Sequence, residues 1–261
     1  MYEIDHLSVS QINTFSRCEL QWFYRYIEGL KIMPTSALVR GKAVHVGLSE
    51  IYTCMKVQEK YVPEKVIDLV IDYVTHADDD EEVRWDKPKD MIKDISVKLV
   101  DAYMQEQYPE SVQPSEIENV EQKIEYQLFT DEGEEFSIIG YPDLILTSRI
   151  IDFKTSGRKP KEIDMQYKFQ TAFYTTVTNK EIIELQYLIC KKDPEIVTLF
   201  TEIDKKIKAI SRMVFMNTYK KLRSSITSGN FLPTGIFHPW ACKYCAYGEQ
   251  GHCSYYLTNT H

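Results

Sequence analysis

Long apolar runs are missing from this chain: nothing in its 261 residues approaches the roughly 20 that a membrane-spanning helix needs. Glycine and proline are scarce, ten of each, which excludes a collagen-like or linker-dominated protein. No G-x-x-x-x-G-K-[ST] loop occurs, so the chain is not itself a nucleotide-driven helicase motor. Residues Met1 to Leu7 show neither the basic start nor the apolar stretch of a secretory signal, and the cytoplasm is the expected address. In that reducing compartment the six cysteines are expected as thiols, metal ligands or cluster ligands and not as disulfides. What is present, 43% hydrophobic residues, suffices for one substantial core or two small ones.

The net charge of -8, from 39 acids and 31 bases, taken alone argues against a polyanionic partner. Its distribution tells a different story. Residues 76–90 hold seven acids against three bases and residues 110–135 nine against one, so these stretches contribute -4 and -8 and the remainder sums to +4. Lys205, Lys206, Lys208, Arg212, Lys220, Lys221 and Arg223 occur without an intervening acid. That run reads either as a solvated helix face or as a nucleic-acid groove.

Ser8 followed by Gln11 is a capping-box pattern, and Ile12, Phe15, Trp22, Phe23, Tyr26 and Ile27 at helical spacing predict a helix over 8–28. Helical patterns recur over 37–60, 63–77 and 88–108. From Ile117 the period turns toward two, predicting strands over 117–129, 135–146 and 149–154. A helix over 163–179, a strand pair over 183–191 and 195–202, and a long helix over 204–227 follow, with the last thirty residues irregular. Cys54 and Cys190 fall within helix and strand and are expected as buried free thiols.

Thr147-Ser148 reads as a hairpin tip. With an even loop Leu146 pairs Arg149 and Asp143 pairs Asp152, so two carboxylates face each other about 4.5–5.5 Å apart at Cβ, which is destabilising unless something compensates. A divalent cation compensates, and an oxygen-rich cluster suits magnesium or manganese. Alternation sends Lys154 to the face of Asp152 while Phe153 points into the core and leaves its carbonyl available. The plain alternative is a hairpin with two solvated acids. Against it, Asp143 sits in Gly-Tyr-Pro-Asp-Leu-Ile-Leu and Asp152 in Ile-Ile-Asp-Phe-Lys-Thr, so both charges interrupt apolar strands.

These two segments resemble the core signature of the PD-(D/E)XK nuclease superfamily. Gly41-Lys-Ala-Val-His45 resembles the upstream histidine motif of its RecB-like branch, and Gln170-Thr-Ala-Phe-Tyr174 the downstream Gln-x3-Tyr motif. The resemblance implies an α/β restriction-endonuclease-like core, a central mixed β-sheet flanked by helices, with a helical N-terminal region and a C-terminal cluster tail. It implies a division into a helical region at 1–110, the nuclease core at 111–230 and a cysteine-rich tail at 231–261. It further implies His45, Asp143, Asp152 and the Phe153 carbonyl as ligands of Mg2+ or Mn2+, Lys154 as a catalytic lysine, and Gln170 and Tyr174 on the substrate side. Gln166, Gln170 and Tyr174 recur every four residues on one helix face, which plain packing also explains. Aromatics such as Trp22, Phe23 and Tyr24 fit core packing, with stacking on unpaired bases as the alternative.

Cys242-Lys-Tyr-Cys245 is a C-x-x-C pair with Cys253 beyond it, and three ligands do not close a tetrahedral site. Zinc completed by His238 or His252 is one reading. The RecB-like nucleases that carry an iron-sulfur cluster imply the other, a [4Fe-4S] cluster on Cys18, Cys242, Cys245 and Cys253. The chain is similar in this to the CRISPR-associated single-strand exonucleases and the AddB nuclease domain. The implied activity is a metal-dependent DNA exonuclease acting on single-stranded ends in recombination, repair or CRISPR spacer acquisition, with DNA and proteins of such complexes as partners and no membrane. A catalytically idle adaptor and a structure-specific endonuclease are the alternatives.

Overall fold

The structure, a computed structural model, describes residues 4, 6–79, 81–106, 108–237 and 239–256, apart from the side chains of 236–240. Strand β1 (His6–Ser8) runs into helix α1 (Val9–Arg17), where the Ser8 hydroxyl accepts from the Gln11 amide at 3.2 Å as the capping pattern predicts. The single helix expected over 8–28 is two. Cys18 is extended (φ -163°, ψ 121°), and its carbonyl accepts from the Gln21 and Trp22 amides to start α2 (Glu19–Tyr26). Both helices bury one apolar face, so the periodicity passes through the break without registering it. Trp22 is fully buried, with Phe15 edge-on and Phe231 stacked at 6.2 Å, which makes it a core residue.

Three helices follow: α3 (Ser36–Lys56), capped by Thr35, α4 (Pro63–Thr75) and α5 (Lys89–Gln105). The stretch expected as one strand over 117–129 divides into β2 (Ile117–Val120) and β3 (Ile124–Phe129), and that over 135–146 into β4 (Glu135–Gly140) and β5 (Leu144–Leu146). The first break falls at Glu121, whose φ is +46°, and the second at Tyr141-Pro142-Asp143. A left-handed residue and a proline without an N–H each end a ladder. Beyond them lie β6 (Arg149–Ser156), α6 (Met165–Thr178), β7 (Ile182–Ile189), β8 (Glu195–Glu202) and α7 (Lys205–Ser228). The terminal stretch is not wholly irregular: a 3-10 turn at Thr234–Phe237 precedes the short helices α8 (Pro239–Lys243) and α9 (Ala246–Glu249).

The chain forms two compact units, each discontinuous in sequence. Met1–Ile32, Glu125–Gly140 and Lys205–His261 make one, with a three-stranded sheet in the order β1-β4-β3. There Glu19, 1% exposed, accepts from Ser225 Oγ and the Leu232 amide, both at 3.2 Å, and pairs with Lys221. The basic run lies on α7 of this unit. Its C-terminal half is committed within the fold: Lys220 pairs with Asp131 at 2.9 Å, Arg223 with Glu134 at 3.3 Å, and Lys221 with Glu19.

Met33–Ile124 and Tyr141–Asp204 make the other unit, around a five-stranded mixed sheet in the order β2-β5-β6-β7-β8. The β5–β6 hairpin pairs Leu144 with Ile151 and Ile145 with Ile150, the register that sequence predicted. β6 and β7 are parallel with α6 as their crossover, and β7–β8 is antiparallel. Helices α3 and α5 pack on this sheet through Leu48, Ile51, Leu99 and Tyr103 against Leu144, Ile151 and Phe153, and α4 packs on those two helices through Val70. Gly47 makes the close helix contact possible, because a Cβ there would lie 2.8 Å from Val70 Cγ2. Among the described residues no helix is long and apolar enough to cross a membrane. Cys54 and Cys190 are free thiols but half-buried, not buried; the Cys54 thiol donates to Glu50 Oε1 at 3.6 Å.

Candidate active site

The sequence places His45, Asp143, Asp152 and Lys154 far apart along the chain, and the second unit brings them together. His45 lies on α3, with Gly41 one turn earlier beside β6, where a Cβ would stand 3.4 Å from Thr155 Oγ1, an ordinary contact. Asp143 precedes β5, and the hairpin register continued by one residue sets it opposite Asp152 on β6. Its Oδ1 is 3.1 Å from His45 Nδ1 and its Oδ2 accepts from the Phe153 amide at 2.6 Å. Asp152, 2% exposed, pairs with Lys154, and among the described residues no donor apart from Lys154 reaches its buried Oδ2. The Lys154 ammonium also lies 4.9 Å over the Tyr167 ring. As alternation requires, Phe153 turns the other way, stacking on Tyr52 and meeting Tyr103 edge-on, both at 5.9 Å.

Charge and burial oppose each other here. Burial pushes the Asp143 carboxyl up, but His45, Lys154 and the Phe153 amide outweigh it and hold Asp143 below the usual carboxylate value. Burial lifts Asp152 above its ordinary value; Lys154 pulls it down and Asp143 adds to the rise. Burial disfavours the charged forms of His45 and Lys154, yet the neighbouring acids outweigh it and both sit above their usual values. The pattern is one of negative charge gathered in low dielectric with insufficient donors around it.

Gln170 and Tyr174 share a face of α6 and form a clip: Gln170 Nε2 donates to the Tyr174 hydroxyl at 2.8 Å, which donates to the Tyr141 carbonyl at 3.3 Å beside the Pro142-Asp143 turn. Burial, then Asp152 and Asp143, push the Tyr174 hydroxyl well above its usual value. Sequence reasoning missed Glu121. Its carboxylate and the ligand atoms of His45 and Asp143 all lie within 4.8 Å of one another. The only sequence signal was an acid interrupting a strand pattern, in a segment already crowded with acids. A cleft of about 560 Å³ opens over this group, lined by Gly41, His45, Glu121, Phe153, Lys154 and Thr155. One nitrogen and several carboxylate oxygens around an under-donated buried acid fit a divalent cation.

In the first unit the cysteines of the C-terminal stretch meet Cys18. A Cβ on Gly235 would lie 3.1 Å from Cys242 Sγ and 3.7 Å from Cys18 Sγ. Tyr24 is pushed up to about 12 by burial and then by Cys253, with Cys18 and Cys245 adding to it. Four cysteines, none of them in a disulfide, therefore fall in one small region. His252 is exposed, and His238 lies outside the described residues.

A mixed sheet whose hairpin aligns two acids and a lysine beside a helix-borne histidine defines the class as a nuclease. The sequence profile of the PD-(D/E)XK nuclease superfamily matches residues 6–250, and the chain belongs to that superfamily. A protein from Eubacterium rectale whose exonuclease assignment is provisional matches with TM-score 0.58 at 14% identity, over 87% of this chain and 84% of that one. This likeness carries the fold alone. SSO0001 matches with TM-score 0.47 at 15% identity over 99% and 90%, and LHK-Exo in complex with dAMP with 0.35 at 10% over 71% and 93%. Neither supports an argument. No curated protein matches the chain.

Proposed function

We propose that this nuclease is a divalent-cation-dependent deoxyribonuclease that digests single-stranded DNA from its ends. The observation that carries the reading is the His45–Asp143 contact and the Asp152–Lys154 pair meeting beside one cleft, to whose lining His45 and Lys154 contribute. His45, Asp143, Asp152 and the Phe153 carbonyl hold the cation, Mg2+ or Mn2+. When bound it supplies a water whose pKa falls from about 15.7 toward 7 and polarises the scissile phosphate. Lys154, kept charged by Asp152 and Asp143, orients the attacking water or offsets charge growing on phosphorus. The Gln170–Tyr174 clip braces the Pro142-Asp143 turn from its carbonyl side. Substrate thus meets acids whose positions are held by the backbone amide of Phe153 and by α6.

The thiols of Cys18, Cys242, Cys245 and Cys253 hold a [4Fe-4S] cluster that ties the N-terminal helices to the C-terminal stretch. Supporting it, Cys18 and Cys242 lie side by side at Gly235, and Cys18, Cys245 and Cys253 all act on the Tyr24 hydroxyl. The place of work is the cytoplasm, in recombination, repair or CRISPR spacer acquisition.

The test is digestion of end-labelled single- and double-stranded DNA with Mg2+ or Mn2+. Wild type shortens linear single strands; Asp152→Ala and Lys154→Ala each lose at least about 100-fold in rate. Cutting of circular single strands would point instead to an endonuclease, and no cutting by the wild type to an adaptor.

A further inference from the structure

The hairpin signature leaves Glu121 without a role, although it is the acid whose placement requires an unusual backbone. Its φ of +46° lies in the left-handed region, which among described non-glycine residues only Gln58 and Asn179 share. That conformation ends β2 and turns the Glu121 amide to donate to the Asp143 carbonyl at 2.9 Å. The two positions where strands break, Glu121 and the Pro142-Asp143 turn, are therefore tied to each other. The Glu121 carboxylate faces solvent on the cleft side, and its ligand atom stands within 4.8 Å of those of His45 and Asp143. Lys154 pairs directly with Asp152 and gives Asp143 only an attraction at longer range. Two acids and one imidazole so placed are short of positive charge.

We propose that Glu121 is a further ligand of the active-site cation, so that His45, Glu121 and Asp143 form the triad that captures it. The inference rests on the cation-dependent reading above. A nitrogen and two carboxylates suit Mn2+ as the probe.

The experiment measures Mn2+ binding to the full chain by calorimetry and by the loss of free-ion EPR signal, with melting temperatures taken in chelator. Wild type, Glu121→Gln, Glu121→Gly, His45→Ala and Asp152→Asn are compared. Glu121→Gln and Glu121→Gly are expected to weaken Mn2+ binding at least about 10-fold, as His45→Ala does, and Asp152→Asn to weaken it less. Glycine adopts positive φ without steric cost, so Glu121→Gly keeps or raises the melting temperature, which separates ligand loss from misfolding. Wild-type affinity in both Glu121 variants beside a weakened His45→Ala overturns the role of Glu121 alone. A fall in melting temperature in Glu121→Gly that accounts for its weak binding also overturns it, in favour of a structural role. Failure of the wild type itself to bind Mn2+ sinks the cation-dependent reading, and this one with it.

Discussion

Asp152 concentrates the physics of the site in one side chain. It is 2% exposed and raised by burial, and among the described residues its Oδ2 has Lys154 and no other donor. A carboxylate so held is costly without a cation, and breaking a buried pair leaves an uncompensated charge. Tyr174 acts one step away, through the Tyr141 carbonyl. Tyr174→Phe is expected to lower kcat on single-stranded DNA by about 10-fold with KM little changed, because it loosens the turn that carries Asp143 and removes no substrate contact. Steady-state kinetics on an end-labelled oligonucleotide check this, and a rise in KM with kcat intact would assign Tyr174 to substrate binding instead. At this scale the sequence was informative for Asp143, Asp152 and Lys154, since two-residue alternation and a short turn set their common face. It was silent on Glu121, whose role depends on a left-handed φ and on an amide bonded across to Asp143.

Among the elements, α3 does two jobs: it carries His45 and it anchors the helices α4 and α5. Gly47 sits where α3 meets both, with Val70 Cγ2 at 2.8 Å and Val100 methyls at 3.3 Å from a Cβ placed there. Gly47→Ala gains helix propensity of about 1 kcal/mol but overpacks a β-branched contact at about 1–3 kcal/mol, so a net loss near 1 kcal/mol is expected. Thermal unfolding should show a melting temperature lower by about 2–4 °C. Gly157→Ala, with nothing within 4 Å, is the control and should leave it unchanged. Element positions were legible wherever a periodic pattern followed a cap or a tight turn, as with Ser8 before α1 or the β5–β6 register. The breaks at Cys18, Glu121 and Pro142 were not, because one residue of altered backbone leaves the surrounding hydrophobic period intact.

For the molecule as a whole, the residues of the two chemistries fall in different units: the acids, His45 and Lys154 in one, Cys18 and the C-terminal cysteines in the other. A cluster on those thiols closes a loop of more than 200 residues and so restrains both chain ends of its unit. Cys253→Ser is expected to lose visible brown colour and iron when purified without oxygen, and its N- and C-terminal segments should become sensitive to limited proteolysis. Stoichiometric zinc with colourless wild-type protein would rule the cluster out. Such discontinuous units are invisible to pattern reading, since segments such as Glu125–Gly140 and Lys205–His261 share a unit across some sixty intervening residues.

Local regularities along the chain were enough to announce helices, strands, the hairpin register and the paired acids, because each depends on neighbours within a few residues. The meeting of His45 with Asp143, the arrival of Glu121 beside them, and the gathering of Cys18 with Cys242, Cys245 and Cys253 came only with folding. Those depend on burial and on backbone bonds between distant segments, whose energies no local pattern encodes.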